Sequence, residues 1–169
     1  MRAHVQSAPA TFRFCTLSLS REGDRLLIEH LDLFRASYWD EVRRRPLVTD
    51  CIVVLPDHLH AIWSSAGSVK YTAGRWSRIK AGFTRRLKSR TGVRESPWMP
   101  GVLQHRIRSL PDLEAHRRLI WTNPVRHNLV PRPEDWLVTS LHRDLREGRV
   151  DDAWMVALGA GPAEEPRPG

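Results

Sequence analysis

The chain has 169 residues, enough to bury one sizeable core and too few for two comfortable domains. Its 27 lysines and arginines against 19 acids leave a formal charge of +8, a field that draws polyanions and makes nucleic acid the leading partner class. No apolar run approaches the roughly 18 residues that a bilayer crossing needs, and no apolar leader opens the chain, so the sequence reads as a cytoplasmic protein.

Residues 1–10 are small and polar and read as a flexible N-terminus. A first strand is expected over Thr11–Leu19, stopped by the turn signal Glu22-Gly23-Asp24. Leu27, Leu31, Phe34, Tyr38 and Val42 then recur at helical spacing, which predicts one helix over Leu26–Arg44 that Pro46 closes. Leu47–Thr49 and Cys51–Leu55 are strand-like, and Pro56-Asp57 interrupts the run before His58-Leu59-His60-Ala61-Ile62-Trp63. A polar loop over Ser64–Ser68 leads to a second helix over Thr72–Lys88. There Trp76, Ile79, Phe83 and Leu87 form the apolar stripe and Arg75, Arg78, Arg85, Arg86 and Lys88 lie elsewhere on the surface.

Arg90–Gly101 carries glycine, proline and charge and is expected to be a loop that orders on binding. Val102–Arg108 follows as a short edge strand. A third helix starts at Leu110-Pro111-Asp112, with proline in its first turn, and runs to about Trp121 before Asn123-Pro124. Pro131-Arg132-Pro133 marks the exit to a tail in which Trp136, Leu141, His142 and Trp154 pack partly on the core, and residues 158–169 read as a disordered end. One domain over residues 11–157 results. The order strand, helix, strand, strand, helix, strand, helix predicts an α+β, ferredoxin-like antiparallel sheet with helices on one face. Cys15 and Cys51 sit in apolar runs and read as core thiols.

Two features carry chemistry. In an extended strand alternate side chains share a face, so His58 and His60 project together, either as a pair of metal ligands or as polar residues on a solvated sheet face. The second helix presents guanidiniums that either track phosphate or merely meet solvent. Only Lys70, Lys80 and Lys88 among the 27 basic residues are lysine; the arginine fork suits phosphate and guanine, and a genomic bias toward arginine gives the same excess.

Several stretches together resemble one family, the REP-associated tyrosine transposases, a branch of the single-strand DNA nucleases marked by a His-hydrophobic-His (HUH) motif. The matching residues are Val53 through Trp63, Arg75-Trp76-Ser77-Arg78-Ile79-Lys80-Ala81-Gly82-Phe83, His105-Arg106-Ile107-Arg108, Asn123-Pro124-Val125-Arg126-His127 with Leu129-Val130, Glu134-Asp135-Trp136 and Ser140-Leu141-His142-Arg143. They lie in colinear order from about Phe12 to Trp154.

The resemblance implies a ferredoxin-like domain that takes single-stranded or hairpin DNA. It implies a divalent cation, Mg2+ or Mn2+, held by His58, His60 and Asn123, and a tyrosine that attacks the scissile phosphate. It also places DNA contacts at Arg75, Arg78, Lys80, Arg85, Arg86, His105, Arg106, Arg108, Arg126 and His127, and favours a monomer over a dimer.

The sequence departs from that pattern where the chemistry should happen. The family's nucleophile opens a Tyr-Ile-x-x-Asn-Pro element, and here Leu119 opens Leu119-Ile120-Trp121-Thr122-Asn123-Pro124. Leucine has no nucleophile to offer. A glycine that usually follows His127 is Asn128, which also tolerates left-handed backbone. Only Tyr38 and Tyr71 remain, the former at core spacing and the latter at a loop-helix junction. Three readings follow: a DNA-binding family member whose strand cleavage is lost or impaired, a nuclease using another nucleophile, and a basic nucleic-acid adaptor with structural histidines.

Overall fold

The computed structural model describes residues 10–65, 72–150 and Trp154. Its strands are β1 (Thr11–Ser18), β2 (Val48–Val54), β3 (His58–Ser65) and β4 (Leu103–Ile107). They form one antiparallel sheet in the order β2-β3-β1-β4. The helices are α1 (Leu26–Glu29), α2 (Leu31–Arg44), α3 (Thr72–Thr91), α4 (Leu110–Arg126) and α5 (Leu141–Arg146). Sheet order and helix placement give the expected ferredoxin-like α+β fold.

Alternation along each strand divides the core in two. Cys15, Leu17, Leu59, Ala61 and Trp63 face one way and pack against Leu27 of α1, Leu33, Phe34 and Tyr38 of α2 and Trp76, Ile79, Phe83 and Leu87 of α3. Cys51, Val53, Ile62 and Ile107 face the other way and meet Leu113, Ile120 and Trp121 of α4 and Leu141 of α5. Helices therefore cover both faces, beyond the one-sided packing expected, because a helix that follows β4 must bury its own apolar stripe on the face left open.

Four further details sharpen or correct the sequence reading, the break at Pro56-Asp57 being as expected. The first helix is broken at His30, whose backbone (φ −120°, ψ 38°) leaves the helical region between α1 and α2. Pro56-Asp57 is the turn of a β2–β3 hairpin, closed where the Leu55 amide donates to the His58 carbonyl at 2.8 Å. The segment expected to order on binding is already tied down: Ser20 N–H donates to Pro97 O, Met99 N–H to Ser18 O, and Trp98 is buried beside Phe83. The third helix continues through Pro124 to Arg126 rather than stopping near Trp121.

The tail does pack. The Trp136 indole donates to Val54 O, and Val54 N–H and Ser140 N–H exchange bonds with Val138 and Ile52, which covers the β2 edge. Among the described residues no strand pairs with the outer edge of β4. Residues 1–9 and 158–169, for which flexible and disordered ends were expected, lie outside the described residues. Both cysteines are buried and unbridged. No described helix is long and apolar enough to cross a membrane.

Candidate metal and DNA site

His58 and His60 stand on the α4 face of β3, their rings 5.2 Å apart at 77°. In each, one ring nitrogen is already engaged. His58 Nδ1 lies 2.6 Å from the Asp57 carboxylate, and His60 Nδ1 lies 2.8 Å from the Thr16 hydroxyl, its cross-strand partner on β1. Burial pushes the Asp57 carboxyl up, but the hydrogen bonds from His58 and from the Gly23 amide outweigh it, and the net shift is down. An ionised carboxylate only accepts, so the bond to Asp57 places a proton on His58 Nδ1 and leaves Nε2 as the ring nitrogen that a cation could meet. Burial, helped by the nearby charges of His58 and His127, lowers His60 to about 3, which leaves its ring uncharged near neutral pH. Phe14 stacks on the His60 ring at 5.3 Å and limits how it can turn.

The opposing wall comes from α4. Ser109 caps its start by accepting from the Asp112 amide, Pro111 occupies the first turn where a missing N–H costs nothing, and Asp112 complements the positive helix end. At the other end Asn128 adopts φ 54°, Asn128 N–H donates to Val125 O and Leu129 N–H to Pro124 O. That is a Schellman stop, which explains why a left-handed-tolerant residue is needed there.

Between these ends His116, Leu119, Asn123 and His127 recur every three or four residues and share one stripe of α4. The stripe meets the sheet at both ends, His127 packing on His58 of β3 at 4.7 Å and His116 on Phe14 of β1 at 4.7 Å. Within it, Asn123 is 4% exposed and its Oδ1 is buried without a hydrogen-bond partner among the described residues. Such an acceptor costs about 1–3 kcal/mol unless something fills it. Leu119 is half-buried one turn earlier and belongs to neither apolar cluster of the described residues.

No family model matches this chain. A REP-associated tyrosine transposase of Escherichia coli (strain K12) is 31% identical to it over 141 residues, 83% of this chain and 82% of the relative. The chain belongs to the REP-associated tyrosine transposases. A Haemophilus influenzae relative is 31% identical over 150 residues, 83% of this chain and 85% of its own length. A solved structure of a REP-associated tyrosine transposase bound to a REP hairpin matches with a TM-score of 0.77 at 29% identity, covering 89% of both chains.

Tyr38 is buried on the opposite face of the sheet, where it accepts from the Trp63 indole at 2.8 Å and bonds the Thr49 hydroxyl; burial pushes its pKa up. Tyr71 lies outside the described residues. Thr122 spends its hydroxyl on the Arg118 carbonyl at 2.8 Å.

The expected DNA contacts divide. Arg75 and Arg78 both bond Glu41, Arg86 bonds Asp40, and Lys80 donates to the Met99 and Gly101 carbonyls. Arg85 is exposed on α3, and Arg106 and Arg108 are exposed along the β4 edge, with no ion pair among the described residues. His105 reaches the Asp112 carboxylate at 3.2 Å. Arg126 closes the last turn of α4, and exposed His127 lines an open cleft of about 260 Å³ together with His58, Asp57 and Arg25. Thr16 and Phe14, which hold and flank His60, were missed from the sequence because only strand register brings them there; Asp57 was legible as the neighbour of His58 but not as its support.

Proposed function

We propose that this transposase-family protein binds hairpin or single-stranded DNA at a divalent-cation site made by His58, His60 and Asn123, and forms no covalent tyrosine link to it. The observation that carries this reading is the unpartnered, buried Oδ1 of Asn123 on the α4 stripe that packs along a histidine pair whose Nδ1 atoms are both taken. Two neutral imidazoles and an amide oxygen suit a hard or borderline cation and leave coordination positions over. Mg2+ or Mn2+ is the expected ion. When bound, it would polarise a phosphate oxygen.

The chain's own residues do the rest. Asp57 and Thr16 hold the ring orientations, so the ligand atoms need little reorganisation. Arg106 and Arg108 on the β4 edge, exposed Arg85, Arg126 and His127 supply positive charge and donors for phosphate, which positions DNA without reading its sequence. Arg75, Arg78, Arg86 and Lys80 hold the α3 layer together and give their charge to the field around it. Leu119 keeps the nucleophile's position apolar. We propose further that residues 11–157 act as one domain and as a monomer.

A labelled DNA hairpin titrated with protein, with and without Mn2+, tests the reading. Affinity should rise with Mn2+ and fall to the metal-free level in His60→Ala. Affinity indifferent to both would mark a basic adaptor with structural histidines. Strand cleavage that disappears in His58→Ala would mark a nuclease using a different nucleophile.

A further inference from the structure

A second group of metal-competent side chains stands one aromatic ring away from the first. His105 is the cross-strand partner of Phe14, so it projects from β4 on the α4 side of the sheet. There it meets the first turns of α4. His105 Nε2 is 3.2 Å from Asp112 Oδ2, and His116 Nδ1 is 3.0 Å from Asp112 Oδ1. His116 Nδ1 also lies 2.8 Å from the Asp112 carbonyl oxygen. The two imidazoles stack at 5.0 Å and 17°, and one ligand atom from each of the three residues lies within 4.8 Å of the others.

We infer that His105, Asp112 and His116 form a second cation site, distinct from the His58–His60 pair and suited to zinc. Two imidazoles and one carboxylate are a ligand set that a borderline divalent ion prefers. Bonds of about 2.0–2.1 Å in a tetrahedron place ligand atoms roughly 3.4 Å apart, close to the carboxylate-imidazole spacings already present. His105 is 51% exposed and His116 21%, so an ion can reach the site from solvent without unfolding. Bound there, the ion takes the ring-nitrogen lone pairs turned toward Asp112, each neutral imidazole carrying its proton on its other nitrogen, and fastens β4 to the start of α4.

The site is independent of the reading proposed above, and zinc alone is the probe. The full chain without a polyhistidine tag is dialysed against Zn2+ and its bound metal counted, for wild type and for a His58→Ala/His60→Ala variant. The variant should retain one zinc per chain, and adding His105→Ala should weaken that binding by more than about 100-fold. In the otherwise wild-type chain, where folding is not in question, His105→Ala should remove one zinc equivalent while Gln104→Ala removes none. Co2+ substituted at the site should give a visible absorption that His105→Ala abolishes. Zinc stoichiometry that is unchanged by His105→Ala overturns the inference, as does a folded double variant that binds no zinc.

Discussion

Among the described residues both faces of the sheet pair acids with arginines, and the one buried acceptor left without a partner lies on the α4 face. On the α2–α3 face the three acids of α2 are saturated by arginines of α3: buried Glu41 takes Arg75 and Arg78, Asp40 takes Arg86, and Asp32 takes Arg90. On the α4 face an amide oxygen is buried with no partner, and two histidines have each committed one nitrogen while the other ring nitrogen stays available. Satisfied polar groups make architecture, whereas a buried group left wanting holds a place for something from outside. Arginines of α3 that look in sequence like a DNA-binding surface also tie that helix to α2.

Substitutions can break this contrast. The largest expected effect is on the α2–α3 face. Glu41→Ala strands two guanidiniums and should cost about 3 kcal/mol, lowering Tm by roughly 6–12 °C, read by thermal unfolding. The hydrogen bond from Arg78, with help from Arg75 and against the pull of burial, holds the Glu41 carboxyl below its ordinary 4.5. Since the folded pKa is depressed, this stability is present in full above 4.5 and lost as pH falls through the lower folded value. The Tm gap between wild type and Glu41→Gln should therefore narrow below pH 4.5, and a gap that stays constant into acid would show that charge is not the cause.

Next in size, Asp57→Asn should weaken Mn2+ binding by about 10–100-fold through the orientation of His58, measured by Mn2+ titration, while secondary structure stays unchanged. The smallest effect belongs to the α4 face. Asn123→Leu removes an acceptor that has no partner among the described residues, so metal-free stability should rise by about 1 kcal/mol, the low end of that cost, even as Mn2+ binding collapses. A large loss of metal-free stability would mean that the amide oxygen is satisfied after all.

The sheet was legible because its strands and helices alternate with clean periods, from Thr11 to Arg126, and because Pro56-Asp57 punctuates β2 and β3. The histidine pair was legible from strand periodicity alone. What escaped was tertiary. Nothing local in α3 says that Arg75 and Arg78 will find Glu41, thirty-odd residues upstream, and no period in α4 says that His116 will meet His105 across the strand-helix junction. Leu119 was legible as a departure only beside the family pattern, since a leucine at helical spacing looks like any other.

The most direct test of the account is chemical. If the site lacks only its nucleophile, Leu119→Tyr supplies one, and incubation with labelled single-stranded hairpin DNA and Mn2+ should yield a denaturation-resistant protein–DNA adduct in that variant and none in wild type. An adduct formed by the wild-type chain would contradict it.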